Sequence, residues 1–254
     1  MEHVYREQPP PSSLAAHLRC LWVETTGDGQ PAGTMRVLPD GCIDLVWIAG
    51  RESTAVGPAT RAAFPIIPPG STLVGARFAP GMAAGVLGAP ADALADLDLP
   101  LAELWDRAAL DGPRRFDDTR STADGLRAIQ ELLIRRLGRL EEPGDLLVRA
   151  AAQTLGRQPR TPLDALAARV GLSERQLRRR FEAAIGYGPK TFQRIVRFQR
   201  WLRLARSSPA GARRLTDLAA AAGYADQAHL TREVTRLAGL PPTALLGSHE
   251  AAAP

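Results

Sequence analysis

The chain has 254 residues, 45% of them hydrophobic, with a formal net charge of +5 and only two cysteines, Cys20 and Cys42. That length and apolar content exclude a disordered chain and lead to two domains with real cores. Two cysteines make no disulfide framework, and no apolar run approaches 18 residues, so a secreted scaffold and a membrane protein are set aside in favour of a cytoplasmic one.

The charge is unevenly placed. Residues 157–254 carry 17 basic and seven acidic side chains, net +10, whereas residues 1–156 carry 15 and 20, net −5. A polyanion partner is therefore expected for the second half only. Lys190 is the sole lysine; the preference for arginine reads as genome composition, and the arginine positions carry the information.

From 18 to 80 the pattern is of short β-like runs at 18–26, 34–38, 42–49, 64–67 and 72–79, separated by turn residues. Asp40-Gly41 predicts a hairpin between the second and third runs, because the pair tolerates positive φ. Strands at this spacing suggest a small antiparallel barrel or sandwich. Asp44 and Arg77 are charges among apolar neighbours. They form either a structural ion pair or, with Trp22 and Trp47, a site fixing a small ligand inside the barrel. The two tryptophans read as core filler ahead of ligand stackers. His17, Cys20 and Cys42 have ligand-like spacing but lack a second pair, so no metal is expected. Nor does either cysteine sit in a basic context that would activate it.

After Pro80 the period becomes helical, with short helices at 82–87 and 101–105 and a long one at 120–140. Leu126, Ile129, Leu133, Leu137 and Leu140 form a stripe on the long helix that could dock on its own domain or pair with a second subunit. A further helix at 146–155 leads to a polar, proline-containing linker at 156–162. Three divisions follow: a β-rich regulatory domain at 1–118, a helical linker at 119–156 with a dimerisation role in view, and a DNA-binding domain at 157–254.

In the last of these, Leu163, Leu166, Ala167 and Val170 mark a first helix, Gly171 a turn, and Ser173 the cap of a second helix with Leu177, Phe181 and Ile185 on its buried face. The order recurs: Leu215, Leu218, Ala219 and Ala222, then Gly223, then Asp226 as cap for a helix buried along Leu230, Val234 and Leu237. Each unit reads as a helix-turn-helix, with recognition helices at 173–185 and 226–237. The exposed residues are Arg175, Gln176, Arg178 and Arg179 in the first and Gln227, His229, Thr231, Arg232 and Arg236 in the second. Arginine can bond guanine O6 and N7 in bidentate fashion, or meet phosphates. An apolar-rich stretch at 189–206 joins the units. Its 18 residues span about 27 Å as a helix, against roughly 34 Å for one turn of DNA, so one protomer is expected to enter two successive major grooves.

The phrases LAARVGLSERQLRRRFEAAIGYGPKTF and LAAAAGYADQAHLTREVTRLAGLPPTAL resemble the DNA-binding domain of AraC/XylS-family transcription regulators over about 95 residues. The resemblance implies a seven-helix bipartite domain acting on double-stranded promoter DNA in a bacterium, contact with RNA polymerase, and a nucleoid-associated protein. It places Arg175, Arg178 and Arg179, then Gln227, Ala228, His229, Thr231 and Arg232, at contacting positions, while Val234 stands where an aromatic is usual. VLPDGCIDLVW and GARFAPGMAAGVLGAP resemble sensor portions of some such regulators, implying a β-rich effector domain and a homodimer.

The expected class is therefore α+β: a small antiparallel β-barrel-like domain with a helical extension, then an all-α double helix-turn-helix domain. The expected function is an effector-responsive transcription activator with an unknown small-molecule effector, no cofactor, no catalytic residues and no membrane partner. The alternatives are a repressor, a partner-binding regulator, or a DNA-tethered enzyme whose barrel acts on a small molecule or modified base. No phosphate loop, nucleophile elbow or zinc-binding helix supports the enzyme.

Overall fold

The computed structural model describes residues 4–27, 35–48, 51–106, 121–207 and 214–247. Residues 34, 49 and 120, at the ends of three expected elements, and the expected boundary at 118/119 lie outside the described residues.

Among the described residues, six strands form one antiparallel sheet in the order β1-β2-β5-β3-β4-β6. They are β1 Val4–Gln8, β2 Leu18–Thr25, β3 Asp44–Ile48, β4 Thr54–Val56, β5 Thr72–Phe78 and β6 Asp98–Pro100. The α+β class holds; among the described residues the sheet is open, with β1 and β6 at its edges. Alternation along the strands divides the side chains between two faces. One face carries Leu21, Leu45, Ala55 and Ala76. It is covered by α1 Ala84–Leu87, the 3₁₀ turn Ala91–Leu94, α2 Leu101–Leu104 and α3 Thr122–Leu137. The apolar stripe of α3 docks here: Ile129, Leu132 and Leu133 are buried, and Gly125 passes close over the Trp47 ring. The other face is smaller, with Cys20, Trp22, Val46 and Leu73 closed by Met35 and Ile67.

The Asp40-Gly41 turn forms, but not as a hairpin. Asp40 Oδ1 accepts from the Cys42 N–H (2.9 Å), and Gly41 has φ +84°. Val37 pairs instead with Ala63 as an isolated bridge, and Leu38 is buried in the core of the helical half. The competing packing won: a chain heading for another core cannot also fold back on its neighbour. The expected strand at 64–67 is likewise absent, since only Ile67 turns inward while Phe64 and Ile66 stay exposed. β1, β4 and β6 were not visible in the sequence, because two are three residues long and β1 is nearly all exposed.

Among the described residues, seven helices follow between residues 146 and 247: α4 Leu146–Arg157, α5 Leu163–Arg169, α6 Glu174–Ile185, α7 Pro189–Arg206, α8 Leu215–Ala222, α9 Gln227–Ala238 and α10 Pro242–Gly247. Val148, Ala151, Ala152 and Leu155 of α4 belong to the same core as α5 to α10.

Gly75 at the sheet centre shows how tightly the smaller face closes. A Cβ there would lie 2.0 Å from the Trp22 indole. Gly75→Ala is expected to destabilise the protein by about 1–3 kcal/mol through overpacking. Urea denaturation followed by tryptophan fluorescence measures this, and an unchanged midpoint would contradict the Trp22–Gly75 contact.

Candidate nucleic-acid interface

The first unit is α5, a turn at Gly171 (φ +69°) and α6. Ser173 caps α6 in a reciprocal box: Gln176 N–H donates to Ser173 Oγ (3.3 Å), and Ser173 N–H donates to Gln176 Oε1 (2.9 Å). Leu177, Phe181 and Ile185 are buried as the spacing predicts. Arg175, Arg178 and Arg179 are exposed, with Arg178 in a loose pair with Glu174 (3.5 Å). Gln176 is exposed too, but its carbonyl oxygen is engaged at the cap, which leaves its Nε2 to offer a base. Arg180 turns away and donates to Asp145 (2.7 Å), the N-cap residue of α4, so it ties the recognition helix to its scaffold.

The second unit is α8, Gly223 (φ +95°) and α9. Asp226 caps α9 by accepting the His229 N–H (2.6 Å). Leu230, Val234 and Leu237 are buried, and Val234 is fully enclosed without an aromatic ring. Gln227, Ala228, Arg232 and Arg236 are exposed. His229 and Thr231 are half-buried and partly engaged. The His229 ring lies edge-on to Tyr224 and its Nδ1 accepts from the Ala225 N–H (3.4 Å), while Thr231 Oγ1 donates to the Gln227 carbonyl (2.9 Å). Among the polar side chains that the family resemblance places at contacting positions, Arg175, Arg178, Arg179, Gln227 and Arg232 are exposed, and His229 and Thr231 are half-buried.

α7 holds the two units. Phe192, Ile195, Phe198, Trp201 and Leu202 are buried in a core shared by both. Arg194 makes a bidentate pair with Glu233 of α9 (2.6 and 2.9 Å), and Arg197 stacks over Tyr224 (5.7 Å). Burial pushes the Glu233 carboxyl up, but the Arg194 bonds pull harder and hold it below its ordinary value. Arg160 donates to the carbonyls of Gly223 and Tyr224 (both 3.0 Å), closing the turn of the second unit. Arg160 falls in the expected linker, and the expected joining stretch at 189–206 gave no partner for Arg194 or Arg197; all three hold the second unit in place. The available signal was Glu233, an acid beside the buried Val234 in a half with few acids. On the other side of α7, Arg157, Arg200 and Arg203 line an open cleft of about 540 Å³ with Gly156, Leu204 and Ser207, a lining with no carboxylate.

The four residues expected around a ligand divide. Trp22, Asp44 and Arg77 share the smaller face of the sheet, with Asp44 directly opposite Arg77 in register, whereas Trp47 points through the other face onto α3. Arg77 is buried and meets Asp44 (3.0 and 3.1 Å), Asp40 (3.3 Å) and Glu7 (3.4 Å). Burial pushes the Cys20 thiol up to about 12 and Cys42 well above its usual range, so neither is a thiolate at neutral pH. Among the described residues no group of three His, Cys, Asp or Glu side chains could hold a metal ion, and no helix is long and apolar enough to cross a membrane.

Residues 166–248 match the family model described as a helix-turn-helix domain, and residues 6–100 match a domain of unknown function (DUF6597). No curated protein matches by sequence. Among solved structures, the chain is similar to ToxT from Vibrio cholerae at a TM-score of 0.46 and 8% identity, covering 88% of this chain and 96% of that one. It is similar to a ToxT with bound unsaturated fatty acid, from the same organism, at 0.45 and 10%, covering 91% and 96%.

Two consequences are measurable. Arg194→Ala strands Glu233 half-buried and is expected to cost about 2 kcal/mol, the scale of a lost hydrogen bond to a charged group. Thermal denaturation reads it. Because Glu233 is depressed when folded, its contribution is present above the unfolded carboxylate pKa and is lost as pH falls through the lower folded value. Glu233→Gln should therefore narrow the stability difference from wild type in acid, and a difference independent of pH would contradict the pairing.

Proposed function

We propose that this chain, a DNA-binding transcription regulator with an AraC-type helix-turn-helix domain at residues 166–248, reads two successive major grooves with a single protomer. The observation that carries the reading is the pair of capped helices, α6 and α9, each with a polar or basic outer face, on one buried spacer. Arg175, Arg178, Arg179, Gln227 and Arg232 are the proposed base or phosphate contacts. Gln176, His229 and Thr231 keep one free group each and act in supporting roles. The cleft of Arg157, Arg200 and Arg203 supplies positive charge for a phosphate backbone, which favours association without specifying sequence.

The N-terminal half is proposed as the regulatory part, at 1–118, with Trp22, Asp44 and Arg77 on the face nearest an effector. The activator reading rests on the domain type, with RNA polymerase as protein partner, no catalytic role and a cytoplasmic location. A homodimer belongs to the same proposal, formed through surfaces other than the α3 stripe, which is committed to its own sheet.

The test is binding to an operator selected from randomised duplexes. Arg179→Ala and Arg232→Ala should each cost about 1–3 kcal/mol of specific affinity, with the folded state intact by circular dichroism. Wild-type affinity in both variants across salt concentrations would remove the groove assignment. Thermal shift of the full chain against a metabolite panel addresses the effector: a ligand that raises Tm supports a sensor, and turnover of a compound would point to an enzyme instead.

A further inference from the structure

Helix α9 ends on its glycine cap and on two further donors that no local sequence signal announces. The last carbonyls of a helix have no intrahelical partner and must find donors elsewhere. Gly239 supplies the left-handed C-cap (φ +73°), its N–H returning to the Thr235 carbonyl (2.9 Å). The Leu237 and Ala238 carbonyls are then satisfied from the other half of the protein. Ala62 N–H donates to Leu237 O (2.7 Å), and Arg36 Nη1 donates to Ala238 O (2.6 Å) across 202 residues of chain.

Arg36 is built for that position. It is 9% exposed, its guanidinium lies over the Phe64 ring (4.7 Å), and its positive charge faces the negative end of the helix dipole. The strap that carries it, residues 35–41, is tied down along its length. Val37 bridges to Ala63, and Leu38 enters the helical core. Gln199 of α7 donates to the Pro39 carbonyl (2.7 Å), and a Cβ on Gly41 would come within 2.7 Å of Phe192. Asp40 then meets Arg77 in the buried charge cluster of the sheet. One strap thus touches the sheet's ion cluster, the spacer helix and the C-terminal end of the second recognition helix.

We propose that Arg36 is a positioning residue for DNA reading: from the N-terminal half it caps α9 and sets how that helix is held relative to α6. The proposal rests on the two-groove reading. While the strap is docked, both recognition helices are held; release of the strap uncaps α9 alone.

The experiment uses the full chain on the selected operator, with hydroxyl-radical footprinting that resolves the two contacted segments. Arg36→Ala should lose at least fivefold of its protection over the α9 segment while the α6 segment keeps its own. Arg36→Lys, which retains one donor and the charge, should restore part of it. Ala62→Pro, which removes the other donor, should give the same half-footprint. Amide exchange of the free protein should rise at least tenfold at residues 236–240 in Arg36→Ala, with the thermal transition still cooperative. An unchanged α9 segment, or equal loss over both segments, would overturn the positioning role. If wild type protects no duplex at all, the two-groove reading fails, and the exchange measurement alone then decides the capping contact.

Discussion

The structure depends on α7 being buried along its length. Phe192, Ile195, Phe198, Trp201 and Leu202 are all at most 3% exposed and form one core with both helix-turn-helix units. Two units on a flexible tether would each bind weakly and independently. Close-packed interiors do not deform smoothly, so a shared core converts them into one body with a set distance between its recognition helices. The edge-on Phe181–Phe192 contact and the Arg194–Glu233 pair each tie one recognition helix to the N-terminal part of that spacer.

The same economy explains why several arginines are engaged by partners within the protein. Arg160, Arg180 and Arg194 each satisfy a carbonyl or carboxylate within the domain. The net charge of this half therefore overstates what is available to DNA. What remains outward includes the arginines of the first turns of α6, Arg232 and Arg236 of α9, and the cleft beside α7.

The helical half was legible because its signals are local. Gly171 and Gly223 mark turns that need positive φ, and Ser173 and Asp226 mark caps; the structure has each in that role. The Ser173-x-x-Gln176 spacing also signals a capping box, so Gln176 could have been read as engaged rather than free. The N-terminal half was less legible because its determinants are distant. β1, β4 and β6 gain identity only from their neighbours in the sheet, and Asp40-Gly41 spends its turn on reaching another core. The Asp44–Arg77 pair was anticipated because both charges sat in apolar strands, yet nothing local indicated that Glu7 and Asp40 would join it.

The central claim is that one protomer is a rigid two-headed reader. Its most direct test is the binding of wild-type protein to operators in which base pairs are inserted between the two contacted segments. A rigid spacer predicts that five added base pairs, half a turn of DNA, abolish specific binding by moving the second segment to the opposite side of the duplex. Retention of specific affinity on that operator would contradict the account.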